Sequence, residues 1–236
     1  MIERFSHLLT SLVLLACCSV QATAQNTIVD FPPKKTTTTT SSGSSSSISS
    51  STSSSGTING HAYVDMGLSV KWATRNVGAL PPEDYGLVYY AWGETSTKSI
   101  YATDNSKTYD QSSYNYDIGG NASLDAARAN WGGTWRLPTK AEAQELVDRC
   151  TWEWTTLGGK KGYKVTGLSG QSIFLPAAGY RNGLSLDYAG SDGFYWTSTP
   201  YEDTAAYAYA LGFGGSYRTV GWGNRCRGVS VRPVSE

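Results

Sequence analysis

Between residues 36 and 55 the chain carries 18 Ser or Thr in 20 positions, interrupted only by Gly43 and Ile48. Such a segment has no apolar face to bury and cannot offset the conformational entropy of ordering its backbone. The tract therefore divides the chain. Residues 1–24 read as an export signal, 25–56 as a disordered Ser/Thr-rich linker and 57–236 as the folded part. Twenty such residues span roughly 25 Å as a flexible coil and roughly 70 Å when stretched, so the linker reads as a tether.

The folded part is built with rings and tight turns. Its 180 positions hold 16 Tyr, 8 Trp and 3 Phe together with 24 Gly, enough apolar area for a sizeable core. It carries 16 Lys plus Arg against 17 Asp plus Glu, with no basic block. Nucleic-acid binding by phosphate neutralisation is excluded on that balance. One histidine, His61, and two cysteines, Cys150 and Cys226, are too few for a zinc site. Histidine-based catalysis would rest on a single residue near the domain's edge. No cofactor, metal site or catalytic residue is expected.

At the N-terminus, Arg4 and His7 precede an apolar run over residues 8–16, broken only by Thr10 and Ser11. Nine helical residues reach about 14 Å against a hydrocarbon core of about 30 Å, which is a signal peptide's length and not an anchor's. Two processing sites compete. Leu14, Leu15 and Ala16 before Cys17 resemble a bacterial lipobox with Cys17 as the lipidated residue, whereas Ala22, Thr23 and Ala24 suit ordinary cleavage after Ala24. Either route takes the protein out of the cytoplasm, to the cell envelope as an outer-membrane lipoprotein or to the medium.

Within the folded part, Val64, Leu68, Val70 and Trp72 follow the period of a β-hairpin. Helix is expected at residues 123–130 (SLDAARAN) and, more firmly, after Thr139, where Glu142 three residues on completes a capping box and Ala143, Leu146, Val147 and Cys150 mark one apolar face. From Trp152 onward the pattern is strand and turn, with strands expected around 163–165, 172–175, 195–199, 205–213 and 227–232. Ala206, Ala208 and Ala210 alternate with Tyr207, Tyr209 and Leu211. Two helices followed by small antiparallel sheets make an α+β domain.

Six phrases occur in order: DMGLSVKWA (65–73), YAWGET (90–95), WGGTWRLPT (131–139), IFLPAAGYR (173–181), GFYWTS (193–198) and RGVSVRPV (227–234). Together they resemble the Fibrobacter succinogenes major paralogous domain family of Bacteroidetes surface proteins. The resemblance implies a C-type lectin-like fold related to the formylglycine-generating enzyme lineage. The calcium-binding Glu-Pro-Asn, Gln-Pro-Asp and Trp-Asn-Asp motifs of sugar-binding C-type lectins do not occur here, and the cysteines lack the arrangement of a reactive pair. The stretch 180–232 is also similar to the variable segment of proteins diversified by retroelements. From residue 214 to 226, only Trp222 cannot arise from an adenine-mutated Asn-type codon.

The expected function is a surface-tethered module that binds an extracellular glycan or protein ligand without catalysis. Its candidate ligand-binding residues are Tyr188, Tyr201, Asp203, Tyr217, Trp222 and Asn224, rings and polar groups set among glycine-rich turns. Trp72, Trp92, Trp131, Trp135 and Trp196 sit inside the six phrases and are expected in the core. Two other readings stand beside this one. A glycan-acting enzyme would need paired carboxylates, for which Asp187, Asp192, Glu202 and Asp203 are candidates and for which turn roles are the simpler account. A structural part of a surface fibre is the third. Most of Arg181, Arg218, Arg225, Arg227 and Arg232 are expected in strand-end salt bridges, and a Cys150–Cys226 disulfide is open to an exported chain, although a helix-face thiol and a loop thiol need not meet.

Overall fold

A computed structural model describes residues 54–79 and 88–236. The expected signal segment, Cys17 and all but the end of the Ser/Thr tract lie outside these residues. The expected α+β class is observed: the described residues form two α-helices and four small sheets in which every paired strand is antiparallel.

The first sheet has the order β1-β2-β3-β12, formed by β1 (Ser55–Ile58), β2 (His61–Val64), β3 (Lys71–Ala73) and β12 (Val234–Ser235). The hairpin expected from Val64 and Trp72 is present, since these two residues are partners across β2 and β3. Strand β1 begins inside the expected linker. Ser55 pairs with Val64 and Gly56 with Tyr63, and a side chain at 56 would meet the Tyr63 ring at 2.8–3.0 Å. A polar, small-residue strand forms here because its partner supplies the apolar cover.

Helix α1 (Ala126–Trp131) is shorter than residues 123–130 suggested and starts later. Asp125 is the reason: its fully buried carboxylate accepts from Ala127 N, Arg128 N, Gly120 N and Leu137 N at 2.7–3.2 Å, so residues 123 and 124 belong to the turn before the cap. Burial raises the Asp125 carboxyl, and the four amides work against that shift. Helix α2 (Lys140–Arg149) has the expected capping box, with the Thr139 side chain on Glu142 N and the Glu142 side chain on Thr139 N. Arg136 closes on Glu142 with a two-pronged ion pair at 2.7 and 2.9 Å.

Strands β4 (Thr151–Leu157), β5 (Lys160–Thr166) and β6 (Ser172–Pro176) form the second sheet, and β7 (Tyr180–Asn182) with β8 (Ser185–Asp187) a small ribbon. The third large sheet has the order β11-β10-β9, from β9 (Gly193–Pro200), β10 (Tyr207–Gly214) and β11 (Tyr217–Asn224). It lies between two ring-rich cores. Phe194, Trp196, Ala208 and Ala210 face a cluster with Trp92, Trp131 and Trp135, while Tyr195, Leu211 and Phe213 face Trp72, Leu175 and the α2 residues Ala143 and Leu146. The five family-phrase tryptophans are all buried, as expected.

Two expectations are corrected. Residues 227–232 make no strand; they thread between sheets through single bridges of Gly228 to Arg181, Val229 to Tyr90 and Ser230 to Tyr195. Arg225 and Arg232 are buried on carbonyl and amide oxygens, and Arg181 and Arg227 lie over the rings of Tyr89 and Tyr180, so rings and carbonyls take the place expected for salt bridges. Glycines inside strands serve as ring sockets: a Cβ at Gly193 would stand 2.2 Å from Phe213 Cζ, and one at Gly223 3.3 Å from the Trp196 ring. Cys150 and Cys226 are both free thiols, and His61 stacks face to face on Trp131 at 3.9 Å.

Two predictions follow from this packing. Gly193→Ala forces a methyl onto a fully buried Phe213 and is expected to lower stability by about 1–3 kcal/mol, read as a drop in denaturation midpoint. For Glu142, burial alone would raise the carboxyl, but the hydrogen bonds from Arg136 and Thr139 and the Arg136 charge together outweigh it and hold the group below its ordinary value. The stability it adds is present above the unfolded carboxyl's pKa and is lost as pH falls through the lowered folded value. Glu142→Gln should therefore flatten the acid limb of a stability-against-pH curve below about pH 4.5 while lowering the plateau at neutral pH.

Candidate functional site

Alternation along β10 places Tyr207, Tyr209, Leu211 and Phe213 on one face of the sheet, with Asn224, Trp222, Val220 and Arg218 as their cross-strand partners. Helix α2 covers the Leu211 and Phe213 end. The helix starts where β9 holds it, with Lys140 N on Thr199 Oγ1 at 3.0 Å and Ser198 N on Pro138 O at 2.8 Å. Beyond that start the face carries a group of rings. Tyr201 lies 5.7 Å from Trp222, 5.4 Å from Tyr209 and 6.3 Å from Tyr207, and Tyr207 lies 4.6 Å from Trp222 between centroids. Tyr209 is buried, whereas Tyr201, Tyr207 and Trp222 are each partly open to solvent.

Charges border these rings. Tyr209 donates its hydroxyl proton to Glu202 at 2.8 Å, and the Lys140 ammonium sits 3.5 Å over the Tyr209 ring and 3.9 Å from Glu202. Burial, then the Glu202 hydrogen bond, pushes the Tyr209 phenol up to about 12. The same hydrogen bond holds the Glu202 carboxyl below its ordinary value. The Asp203 carboxylate beside Tyr201 raises the pKa of its phenol. The exposed Glu202 carboxylate thus fixes the orientation of the Tyr209 phenol and keeps its own charge at neutral pH.

Arg225 supports the ring group from below. It is fully buried, and donates from Nε to Tyr207 O at 2.9 Å and from a terminal nitrogen to Asn115 Oδ1 at 2.7 Å. Its guanidinium lies 4.3 Å from the Trp92 centroid. Desolvation lowers its pKa to about 10, so it stays charged at neutral pH, held by neutral acceptors and a ring face. Trp92 N donates to Arg225 O, and the Trp92 indole to Thr197 O, so the cation joins β9, β10 and the 88–95 segment.

The structure divides the six expected ligand residues into two groups. Tyr201, Asp203, Trp222 and Asn224 share the ring end of the sheet, with Asn224 Oδ1 accepting from Cys226 N and its side chain bonded to Tyr109. Tyr217 lies at the opposite end of β11, roughly 17 Å away at 3.4 Å per residue. Its hydroxyl donates to Asp192 at 2.7 Å; burial first, then that carboxylate, drives its pKa well above the ordinary tyrosine range. Tyr188 is on that side too, 45 % exposed, with φ +59° and its ring 5.8 Å from Tyr180. Tyr217 and Trp222 were expected in turns and instead lie in a strand, because the flanking Gly221 and Gly223 face the other core. Tyr207, Tyr209 and Lys140 were not anticipated. The Ala–Tyr alternation over 206–211 was their available signal, since it sets both tyrosines on the Trp222 face. Among the described residues no group of three or more His, Cys, Asp and Glu is placed to hold a metal ion.

A family model described as a domain of unknown function, DUF8237, matches residues 154–234, which include β5 to β11 and the whole ring group. No curated protein and no solved structure matches the chain.

Arg225→Met is expected to leave its carbonyl and amide acceptors unpaired, at about 1–3 kcal/mol each, partly offset by no longer burying a charge. A net loss of about 2 kcal/mol in chemical denaturation, with altered tryptophan fluorescence from Trp92, is the expected outcome.

Proposed function

We propose that this chain is an exported ligand-binding module of the C-type lectin-like class, tethered to the envelope through Cys17 or released after Ala24. Its ligand is an extracellular glycan or protein, bound without catalysis. The observation that carries this reading is the group of partly open rings, Tyr201, Tyr207 and Trp222, bordered by Glu202 and Asp203. Aromatic faces supply contact area at small conformational cost. Carboxylates at their edge accept hydrogen bonds from sugar hydroxyls or from the donors of a peptide. The six ordered phrases support the Bacteroidetes surface-protein lineage and, with it, the fold and the location.

The carboxylates speak for binding over hydrolysis. Glu202 is exposed and held ionised by Tyr209, the opposite of what a general acid needs, and Asp192 is engaged with Tyr217 at the far end of the sheet. A diversified surface fits the outward positions of β11, with Gly223 excluded because Trp196 fills the space a side chain would take.

The test is binding of the purified protein to glycan and peptide arrays, followed by titration of the strongest hit. Tyr201→Ala and Trp222→Ala are each expected to weaken that hit about tenfold or more, and Tyr188→Ala to leave it unchanged. Wild-type affinity in both ring variants would overturn the assignment.

A further inference from the structure

A second concave site lies away from the ring group, where the β4–β5 hairpin approaches β8 and the segment leading into β9. It encloses about 530 Å³, within the range of small-molecule pockets. Its walls are formed by Tyr89, Pro176, Ala177, Ala178, Leu186 and Ala189, and its rim by Lys160, Lys161 and Ser191. Backbone bonds set the shape: Ala177 N donates to Lys161 O at 2.8 Å and Gly190 N to Ala177 O at 2.7 Å, so β5, β6 and the 188–191 turn are fixed around one strand end. Gly159 and Gly190 both have positive φ, and no atom lies within 4 Å of where their side chains would stand, so both turns leave space open.

The donors on the lining are unevenly committed. Tyr89 gives its hydroxyl proton to Ala178 O at 2.7 Å. The Ser191 hydroxyl is taken up by Tyr188 O and Asp192. That leaves Lys160 and Lys161 as the side-chain donors of the rim, adjacent residues that leave β5 from opposite faces, and neither ammonium has an ion-pair or hydrogen-bond partner among the described residues. No carboxylate lies on the lining. Nearby, Asp192 is occupied by Ser191 and Tyr217, and Glu153 stands opposite Lys164 in the β4–β5 ladder. Leu186, 40 % exposed, presents an apolar surface facing the open space.

A pocket with apolar walls, committed hydroxyls and two uncompensated ammonium groups discriminates against neutral polyols and in favour of an anion with an apolar flank. We propose that this cleft binds a small organic anion, one ring in size, bearing a carboxylate or sulfate that a rim lysine, Lys160 or Lys161, meets while its apolar face lies on Ala177, Leu186 and Ala189. The proposal does not depend on the ring group.

The experiment is titration of the whole protein by calorimetry or NMR shift mapping, using benzoate against benzyl alcohol and glucuronate and glucose 6-sulfate against glucose. At least one anion should bind ten times or more tighter than its neutral counterpart. Shifts should centre on residues 159–161, 177–178 and 186–191, and affinity should fall as salt rises. Lys160→Ala/Lys161→Ala should weaken that anion at least tenfold with the denaturation midpoint retained, since both residues sit exposed at a hairpin tip. Lys164→Ala should leave binding intact. Comparable affinity for the neutral counterparts, unchanged binding in the double variant, or no anion bound at 10 mM would each overturn the proposal.

Discussion

Strand β9 bears rings on both faces, and the rest of the domain is arranged to cover them. Phe194 and Trp196 point into one core and Tyr195 into the other. Each polar handle finds a carbonyl, with the Trp196 indole on Tyr90 O and the Tyr195 hydroxyl on Pro176 O. A buried indole or phenol left without a partner would offset much of its own apolar gain. The 88–95 segment and the end of β6 are therefore held in place by the hydrogen bonds of two adjacent side chains. Glycines on neighbouring strands complete the fit, because rings of this size reach the backbone opposite only where no Cβ stands.

Two buried arginines extend this logic between elements that share little secondary structure. Arg232 donates to Asn76 Oδ1, Ala73 O and Phe174 O, joining the first sheet to β6. Arg225 does the same for Thr108, Asn115 and Tyr207 under the ring group. Loops with few ladder bonds of their own thus acquire fixed positions from a five-donor fork. Two of the rings are held by such contacts: Tyr207 through its carbonyl on Arg225, and Tyr209 through Glu202 and Lys140.

Local rules were readable from residues alone where partners are near in sequence. Thr139 and Glu142 are three positions apart and cap one another as their spacing requires. The alternation of Ala208 and Ala210 with Tyr207 and Tyr209 showed a two-faced strand. Trp222 was readable as a contact residue but not as part of a strand, since Gly221 and Gly223 look like turn punctuation until the Trp196 ring against Gly223 is seen. Arg225 was not readable, because its acceptors Thr108 and Asn115 lie more than a hundred residues away and an arginine without a nearby acid looks like surface. The separation of Tyr217 and Tyr188 from the other four candidates has the same origin. Eight residues of one strand look continuous in sequence, yet they run from one end of the sheet to the other.

The attachment of β1 has a mechanical consequence. Its ladder with β2 runs from Ser55–Val64 to Ile58–His61 and closes at the Asn59–Gly60 turn. A pull transmitted through the chain before Ser54 meets the open end of that ladder first and loads its hydrogen bonds one pair at a time, as a zipper and not in shear. Four residues can peel away, adding roughly 14 Å of length, before either ring-filled core bears load. The outermost strand thus acts as a small compliant element in series with a stiff body, yielding and re-forming while the ring group keeps its shape.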